Sequence, residues 1–502
     1  MRQKNILEYL EATVARCPER PAYVDDATEL TFAQVSARAR AVGSARCAKG
    51  FINEPVVVYM PKKPDTVAAF YGCVYAGDCY VPIDPEMPRF RIELIFKTLM
   101  PRAVLCDKDT AGEIASYGYT GDVLIYEELI EGPIDDTALA AVRDRQIDTD
   151  PIYIVFTSGS TGVPKGVIGC HRAAIDYIEE LCKILDLSEN SRFANQSPLY
   201  FDACLKELYP TMKFGAVTYF PPKQLFMFPV KLVEYLNEHK INTICWVASA
   251  LTIISSLGTF ETVKPEYLRT VAFGSEVFPI KQYKRWKEAL PQATFTNLYG
   301  PTETTGMCCF YRVNRDFAPD EVIPIGRPFP NREIILLNEK NERAAKGEVG
   351  EICVRGNSLT LGYFNAFDKT AEAFVQNPLN DRYPELIYRT GDLGRYNERG
   401  ELTFVSRKDH QIKHMGHRLE LGEIEANVNL TDGVSMSCCL YDKEKQRIKL
   451  FYVGELDEKE LLEILKEKLP RYMLPARIVK LEALPLTPNG KIDRMALQNR
   501  AE

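Results

Sequence analysis

Along the first two thirds of the chain, short apolar runs alternate with longer stretches of helical periodicity. "VVVYM" from Val56, "AVLCD" from Ala103, "DVLIY" from Asp122, "PIYIVF" from Pro151, "NTICWV" from Asn242 and "LRTVAFG" from Leu268 are β-branched or aromatic runs of strand length. Between most of them lie patterns such as "FPVKLVEYLNEHK" from Phe228, with apolar residues at helical spacing. Strand alternating with helix predicts α/β architecture with largely parallel, buried sheets.

After about Pro324 the texture changes. "REIILLNEKNERAAKGEVGEICVRG" and "RYNERGELTFVSRKD" set strand candidates close together with turn signals between them, which predicts an antiparallel or barrel-like layer. Near the C-terminus, "LDEKELLEILKEKLP" places Asp457 as an N-cap with Glu460 three residues on, apolar Leu461, Leu462, Leu465 and Leu469, and Pro470 as the stop. That is a surface helix of a small α+β tail. The polar stretch "SRKDHQIKH" puts a boundary near Asp409.

Composition narrows the function classes. With 502 residues, 46% of them hydrophobic, the chain has material for several domains. A net charge of −7 leaves no basic footprint, so no nucleic-acid partner is expected. Fourteen cysteines without a Cys-x-x-Cys read as reduced thiols. The N-terminal "MRQKNILEYLEATVARCPERP" reads as an amphipathic helix ended by Pro18 and not as a signal peptide. No apolar run approaches the ~20 residues of a spanning helix. A cytoplasmic protein with no direct membrane insertion is expected.

The stretch "FTSGSTGVPKG", Phe156 to Gly166, follows an apolar strand and carries glycines that permit close backbone approach. It is not a Walker A loop, because Lys165 follows Pro164 and precedes Gly166. Thr157, Ser158, Ser160 and Thr161 can donate to phosphoryl oxygens and Lys165 can add a point charge, although a solvated polar turn has the same composition.

The chain also carries "LTFAQV", "YAGDCYVPIDPEMPRFRI", "FDACLKELYP", "NLYGPTETT", "GEICVRGNSLTLGYFN", "YRTGDL", "SRKDHQIKHMGHRLELGEIE" and "LTPNGKIDR" in that order around the loop. The succession resembles the adenylate-forming superfamily, in particular the amino-acid adenylation domains of nonribosomal peptide synthetases and the stand-alone D-alanine–carrier protein ligases. The resemblance implies a large N-terminal domain of two αβ-layered subdomains plus a small β-barrel-like layer, residues 1–408, and a small mobile α+β C-terminal domain, residues 409–502, hinged at Asp409. It implies an AMP-forming ligase that joins a carboxylate to the α-phosphate of ATP with Mg²⁺, then passes the acyl group to a thiol.

Roles follow from the same resemblance. Thr157, Ser158, Ser160, Thr161 and Lys165 would close over the β- and γ-phosphates. Tyr299 would stack on adenine, with Ser275, Asn297 and Gly300 also at the nucleotide. Thr302 would lie near the α-phosphate and Glu303 on Mg²⁺, a hard ion suited to a carboxylate. Asp392 would accept the ribose hydroxyls beside Arg407. Lys491 would serve adenylation, and Gly416 would line a channel for a phosphopantetheine arm. His410, His414 and His417 have metal-like spacing, but Gly416 interrupts them and the resemblance puts them in the hinge and the loop after it, which disfavours zinc.

Asp202 matches the aspartate that pairs with a substrate α-ammonium group, or it N-caps a helix beginning at Ala203. The carried-over pocket positions are Asp202, Ala203, Lys206, Ser249, Val271, Phe273, Leu298, Gly306 and Met307. Gly274, also counted with the substrate site, stands where the D-alanine ligases typically have cysteine. Lys206 is unusual, and either meets an acidic side chain or snorkels to water. The expected reaction is adenylation of an amino acid, D-alanine for preference, and its transfer to the phosphopantetheine thiol of a separate carrier protein. The alternatives are an acyl- or aryl-CoA ligase, or a catalytically silent nucleotide-binding partner of a carrier protein.

Overall fold

All six apolar runs form strands: Pro55–Tyr59, Ala103–Cys106, Asp122–Ile125, Pro151–Thr157, Thr243–Val247 and Thr270–Gly274. Every residue of Pro55–Tyr59, Ala103–Cys106 and Thr243–Val247 is buried, as expected of strands covered on both faces. The computed structural model describes residues 3–50, 52–159, 163–319, 321–408, 411–442, 445–485, 492 and 494–499. They divide into two units. One comprises Met1–Pro85, Pro101–Val155 and Gly166–Lys408, and the other Glu86–Met100, Phe156–Lys165 and Asp409–Glu502.

The first unit holds three sheets. A six-stranded sheet runs in the order Asp122–Ile125, Ala103–Cys106, Pro55–Tyr59, Cys79–Ile83, Pro151–Thr157, Lys165–Cys170. A nine-stranded sheet is parallel through its centre, from Pro21–Val24 by way of Val217–Tyr219, Arg192–Ala194, Thr243–Val247 and Thr270–Gly274 to Thr294–Tyr299. Antiparallel strands close both of its ends, Glu29–Thr31 on one side and Cys309–Arg312 with Arg327–Pro328 on the other.

The third sheet is the antiparallel layer expected after Pro324. It comprises Arg332–Leu337, Gly350–Gly356, Leu386–Tyr396, Phe374–Gln376 and Leu402–Arg407. Register shifts between Glu351 and Cys353 and between Leu393 and Gly394 bend it.

Helices cover the large sheets. Leu7–Arg16 forms the N-terminal helix, ending two residues before Pro18. Helix Phe32–Cys47 begins with a full capping box between Thr31 and Gln34. It is tied to the sheet by a buried ion pair, Arg46 Nε to Asp78 Oδ2 at 2.7 Å, and Asp78 also accepts the Glu54 N–H at 3.1 Å. Trp246 in strand Thr243–Val247 and Trp286 in helix Ile280–Ala289 are buried, and their indole N–H groups donate to the carbonyls of Ala194 at 2.7 Å and Leu251 at 2.9 Å.

The second unit packs helices Leu421–Asn429 and Glu458–Lys468 with a three-stranded sheet, Val434–Asp442, Arg447–Gly454 and Arg477–Lys480. Asp457 and Glu460 form the expected capping box, and Leu461 and Leu465 are the buried face of their helix. Helix Arg89–Leu99 belongs to this unit through a buried ion pair, Arg91 Nη1 to Glu423 Oε1 at 2.7 Å. No described helix is long and apolar enough to cross a membrane.

Burial lifts the Asp78 carboxyl to about 6 against the pull of Arg46. Asp78→Ala would leave the buried guanidinium without its carboxylate and is expected to cost about 3–5 kcal/mol. Urea unfolding of the variant checks this, and a midpoint equal to that of the parent would contradict it.

Candidate functional site

Strands Thr270–Gly274 and Thr294–Tyr299 lie side by side in parallel, with Gly274 opposite Leu298. Parallel sheets present ligand sites beyond the carboxyl ends of their strands, and there the chain places Gly274, Ser275, Tyr299 and Gly300. The packing is close. A Cβ on Gly274 would lie 2.3 Å from the Leu298 carbonyl oxygen, and one on Gly300 would lie 2.3 Å from the Gly306 carbonyl oxygen. Ser275 is in the left-handed region at φ +66°, a strained conformation for a serine. Gly274 therefore has no room for the cysteine of the D-alanine ligases.

Asp202 begins a 3₁₀ turn, Asp202–Cys204, that leads into helix Leu205–Phe214. Its side chain does not cap either element. Oδ2 accepts the Gly306 N–H at 3.1 Å, and Oδ1 accepts the Thr302 hydroxyl at 3.2 Å. Successive left-handed residues, Thr305 at φ +55° and Gly306 at φ +76°, turn that N–H onto the carboxylate. Desolvation raises the Asp202 carboxyl, opposed by Lys206 and by these two hydrogen bonds.

Glu303 is fully buried in the 3₁₀ turn Thr302–Thr304, and its Oε1 accepts the Tyr363 hydroxyl at 2.7 Å. One buried carboxylate fits Mg²⁺, which takes one or two protein carboxylates and completes its shell with phosphate and water. Among the described residues no group of three or more His, Cys, Asp or Glu could hold a metal ion by itself.

The Tyr299 hydroxyl donates to Asp392 Oδ2 at 2.5 Å, and Arg407 pairs with Asp392 Oδ1 while donating to the Thr390 carbonyl at 3.1 Å. Tyr299, Asp392 and Arg407 thus form one cluster that joins the nine-stranded sheet to the antiparallel layer. The Asn297 amide donates to the Pro324 carbonyl at 2.9 Å.

The pocket positions divide between two faces of the sheet. Side chains alternate along a strand, and paired residues of parallel neighbours share a face. Leu298, Gly274 and Ala272 therefore share one face, with Cys245 opposite Ala272 on the next strand. Cys245, Ala272, Leu298, Met307, Tyr177 and Cys204 belong to one buried cluster. Val271 and Phe273 belong to another, with Trp246, Phe278, Tyr283 and Phe295. The carried-over positions Val271 and Phe273 thus face away from Asp202, and the residues in their place are Ala272 and Gly274. Ser249 lies in the first turn of helix Ala248–Ser256, where its N–H donates to Glu276 Oε2 at 3.0 Å. Cys245 and Tyr177 went unread in the sequence; alternation counted back from Gly274 reaches Ala272, and only the pairing of the two strands then leads to Cys245.

Ala203 lies in the turn beside Asp202, and Lys206 is buried one helical turn farther on. Beside it, Glu207 is wholly buried. Its Oε2 accepts from Asn195 Nδ2 at 3.1 Å, and desolvation lifts its carboxyl to about 7.

The second unit holds the described part of the glycine-hydroxyl loop. Thr157 and Ser158 are buried, and Lys165 opens strand Lys165–Cys170. The Ser158 hydroxyl donates to the Arg418 carbonyl at 2.9 Å, and the Gly159 N–H donates to Glu423 Oε2 at 3.2 Å. A backbone carbonyl thus takes Ser158, one of the hydroxyls expected at phosphate. Ser160, Thr161, Asp409, His410 and Lys491 lie outside the described residues.

Gly416, expected in a loop, is the second residue of a tight hairpin turn between Gln411–His414 and His417–Glu420, with Met415 at φ +51° and Gly416 at φ +81°. The histidines beside that turn have aromatic partners. The His417 ring stacks on Tyr472 at 3.8 Å, and His414 Nδ1 lies 3.3 Å from the Tyr441 hydroxyl. Burial pushes His417 down to about 3.

Residues 10–364 match the AMP-binding enzyme family, and residues 423–491 match the AMP-binding enzyme C-terminal domain. The chain belongs to the AMP-binding enzyme family. It is 31% identical over 500 residues to tyrocidine synthase 1 of Brevibacillus parabrevis, covering 98% of this chain and 45% of that protein. It thus spans less than half the length of that relative. It is 29% identical to the L-proline–[L-prolyl-carrier protein] ligase of Pseudomonas fluorescens, over 99% of this chain and 100% of that protein. A solved structure of holo-PA1221, an NRPS protein containing adenylation and PCP domains, shares the fold with a TM-score of 0.85 and 25% identity, over 99% of this chain and 84% of that one.

Because Glu207 carries a raised carboxyl, its folded form holds a proton that the unfolded chain releases near 4.5. Its contribution to stability is full below that value and is lost as pH rises through about 7, which amounts to about 3 kcal/mol. Glu207→Gln is expected to unfold at higher denaturant than the parent at pH 8 and to show a flatter stability profile between pH 5 and 8. An unchanged profile in the variant would refute the assignment.

Proposed function

We propose that this chain is an AMP-forming ligase that adenylates an amino acid with ATP, releases pyrophosphate, and transfers the aminoacyl group to the phosphopantetheine thiol of a carrier protein. The observation that carries the reading is the Asp202 carboxylate, held between the Thr302 hydroxyl and the Gly306 N–H within the segment that begins at Tyr299. A partly buried carboxylate fixed by two donors suits an α-ammonium group, which acetate, benzoate or a fatty acid does not have. Similarity to the proline–carrier protein ligase supports a carrier-bound product, as does the PCP domain of the solved relative.

Each residue then has a task. Asp202 orients the amino acid by its ammonium, so that the carboxylate points toward the nucleotide. Tyr299, Asp392 and Arg407 hold the nucleoside through the aromatic face, the ribose acceptor and the neighbouring cation. Thr302 and the glycine-hydroxyl loop bind phosphoryl oxygens. Glu303 would hold Mg²⁺, which supplies charge neutralisation as two anions approach. Lys491 adds positive charge in the first half-reaction, and Gly416 leaves space for the pantetheine arm in the second. The hinge at Asp409 separates those two tasks.

D-alanine is the neutral end of the substrate range. Gly274 removes the one side chain expected to pack against its methyl group, so the resemblance to D-alanine ligases gives that substrate less support than the motif order gives the reaction.

ATP–pyrophosphate exchange over D- and L-amino acids, acetate and benzoate tests the reading. Exchange is expected with an amino acid and with neither simple acid; the reverse would overturn it. Asp202→Ala is expected to raise the amino-acid KM by at least about 30-fold, the loss of one buried charged contact, and an unchanged KM would remove Asp202 from substrate binding. Lys491→Ala is expected to lose exchange while still forming thioester from supplied aminoacyl adenylate. Equal loss of both half-reactions would contradict the separation of tasks.

A further inference from the structure

Lys206 is 3% exposed. It makes no hydrogen bond and no ion pair with any described residue, although its charge is felt by the carboxyls of Asp202 and Glu207 and by the Cys245 thiol. A lysine that snorkels would carry its side chain out to water, and this residue is almost wholly enclosed. An enclosed lysine calls for a partner of opposite charge.

Neither neighbouring carboxylate fills that need once substrate is bound. Asp202 lies four residues before Lys206, on the same side of the turn and helix, and is the group proposed to take the α-ammonium. Glu207 holds its proton up to about pH 7, and its Oε2 already accepts from Asn195.

A second buried group points the same way. The Tyr177 hydroxyl has no hydrogen-bond partner. It lies beside Gly306, where a Cβ would come within 3.1 Å of it, and it shares with Lys206 the electrostatic surroundings of Asp202, Glu207 and Cys245. The sheet face below these groups is built from small residues, Cys245, Ala272 and Gly274. A methyl side chain leaves both the ammonium and the hydroxyl unanswered. A carboxylate accepts from both.

We propose that Lys206 is the specificity-determining residue of this site and that the amino acid adenylated is acidic, aspartate or glutamate. Its side-chain carboxylate pairs with the Lys206 ammonium and accepts from the Tyr177 hydroxyl, while Asp202 takes its α-ammonium. The substrate is thus held as a zwitterion between two opposite charges one helical turn apart. This rests on the reading of the chain as an amino-acid ligase.

The test is exchange with both enantiomers of aspartate and glutamate, set against asparagine and glutamine, which match them in shape and lack the charge, and against alanine. One acid is expected to exceed its own amide by at least about 100-fold in kcat/KM, since a site built around a polar contact rejects the analogue that lacks it. Lys206→Gln is expected to reduce that ratio to within about threefold of unity, mostly through the KM of the acid, with ATP binding retained as a thermal shift. Lys206→Arg, which keeps the charge, is expected to restore part of the preference.

Best exchange with alanine or another neutral amino acid would overturn the proposal and leave the ligase reading standing. Exchange with acetate or benzoate alone would overturn the ligase reading itself. An acid-to-amide ratio unchanged in Lys206→Gln, in a variant that still binds ATP, would return Lys206 to the role of a structural counter-charge.

Discussion

A carboxylate drawn partly out of water has to be met by donors, and at Asp202 that requirement organises the site. Its two oxygens take the Thr302 hydroxyl and the Gly306 N–H. Those donors come from the segment that also carries Tyr299 and Glu303. The turn after Phe201 and the segment that begins at Tyr299 are thereby locked together, and the backbone accommodates the lock with two consecutive left-handed residues, Thr305 and Gly306. Asp202, Thr302 and Gly306 thus belong to one hydrogen-bonded body. The tie from Tyr299 to Asp392, and on to Arg407, extends it to the antiparallel layer.

The strands were legible because their signal is local. A run such as "VVVYM" is buried on both faces, and burial on both faces is written into consecutive residues. The capping box at Asp457 was legible for the same reason, since both of its partners lie within one turn. Order along the chain was likewise enough to single out Asp202, Tyr299, Glu303 and Asp392 as candidates. What the chain order did not settle was which face of a strand each residue occupies. Positions counted along "TVAFG" placed Val271 and Phe273 in the pocket, whereas the pairing of Gly274 with Leu298 turns both to the opposite side. With a period of two, an offset of one residue exchanges the faces entirely. That Asp202 does not cap the helix was also beyond the sequence, because both donors to its side chain come from about one hundred residues away.

Polar groups that find no protein partner are informative in a site of this kind. Most buried donors and acceptors in a folded chain are satisfied, so the exceptions mark places where another molecule completes the bonding. The Tyr177 hydroxyl is such an exception, and it falls on the side of the sheet that carries Cys245, Ala272 and Gly274. In the second unit the situation is reversed. The Ser158 hydroxyl, one donor that the sequence suggested for phosphate, is held by the Arg418 carbonyl, and the neighbouring Gly159 N–H by Glu423, itself paired with Arg91. Both donors are thus already met by protein oxygens.

The central claim is that the Asp202 carboxylate reads the ammonium group of an amino acid. It is tested most directly by equilibrium binding of two nonhydrolysable adenylate mimics, an aminoacyl sulfamoyl adenosine and its des-amino counterpart, which differ only in that nitrogen. The account predicts that removing the ammonium weakens binding by at least about 30-fold in the parent, and that the two mimics bind within a few-fold of each other in Asp202→Asn, which keeps the size and shape of the side chain without the charge. Equal affinity of the two mimics for the parent protein would contradict it.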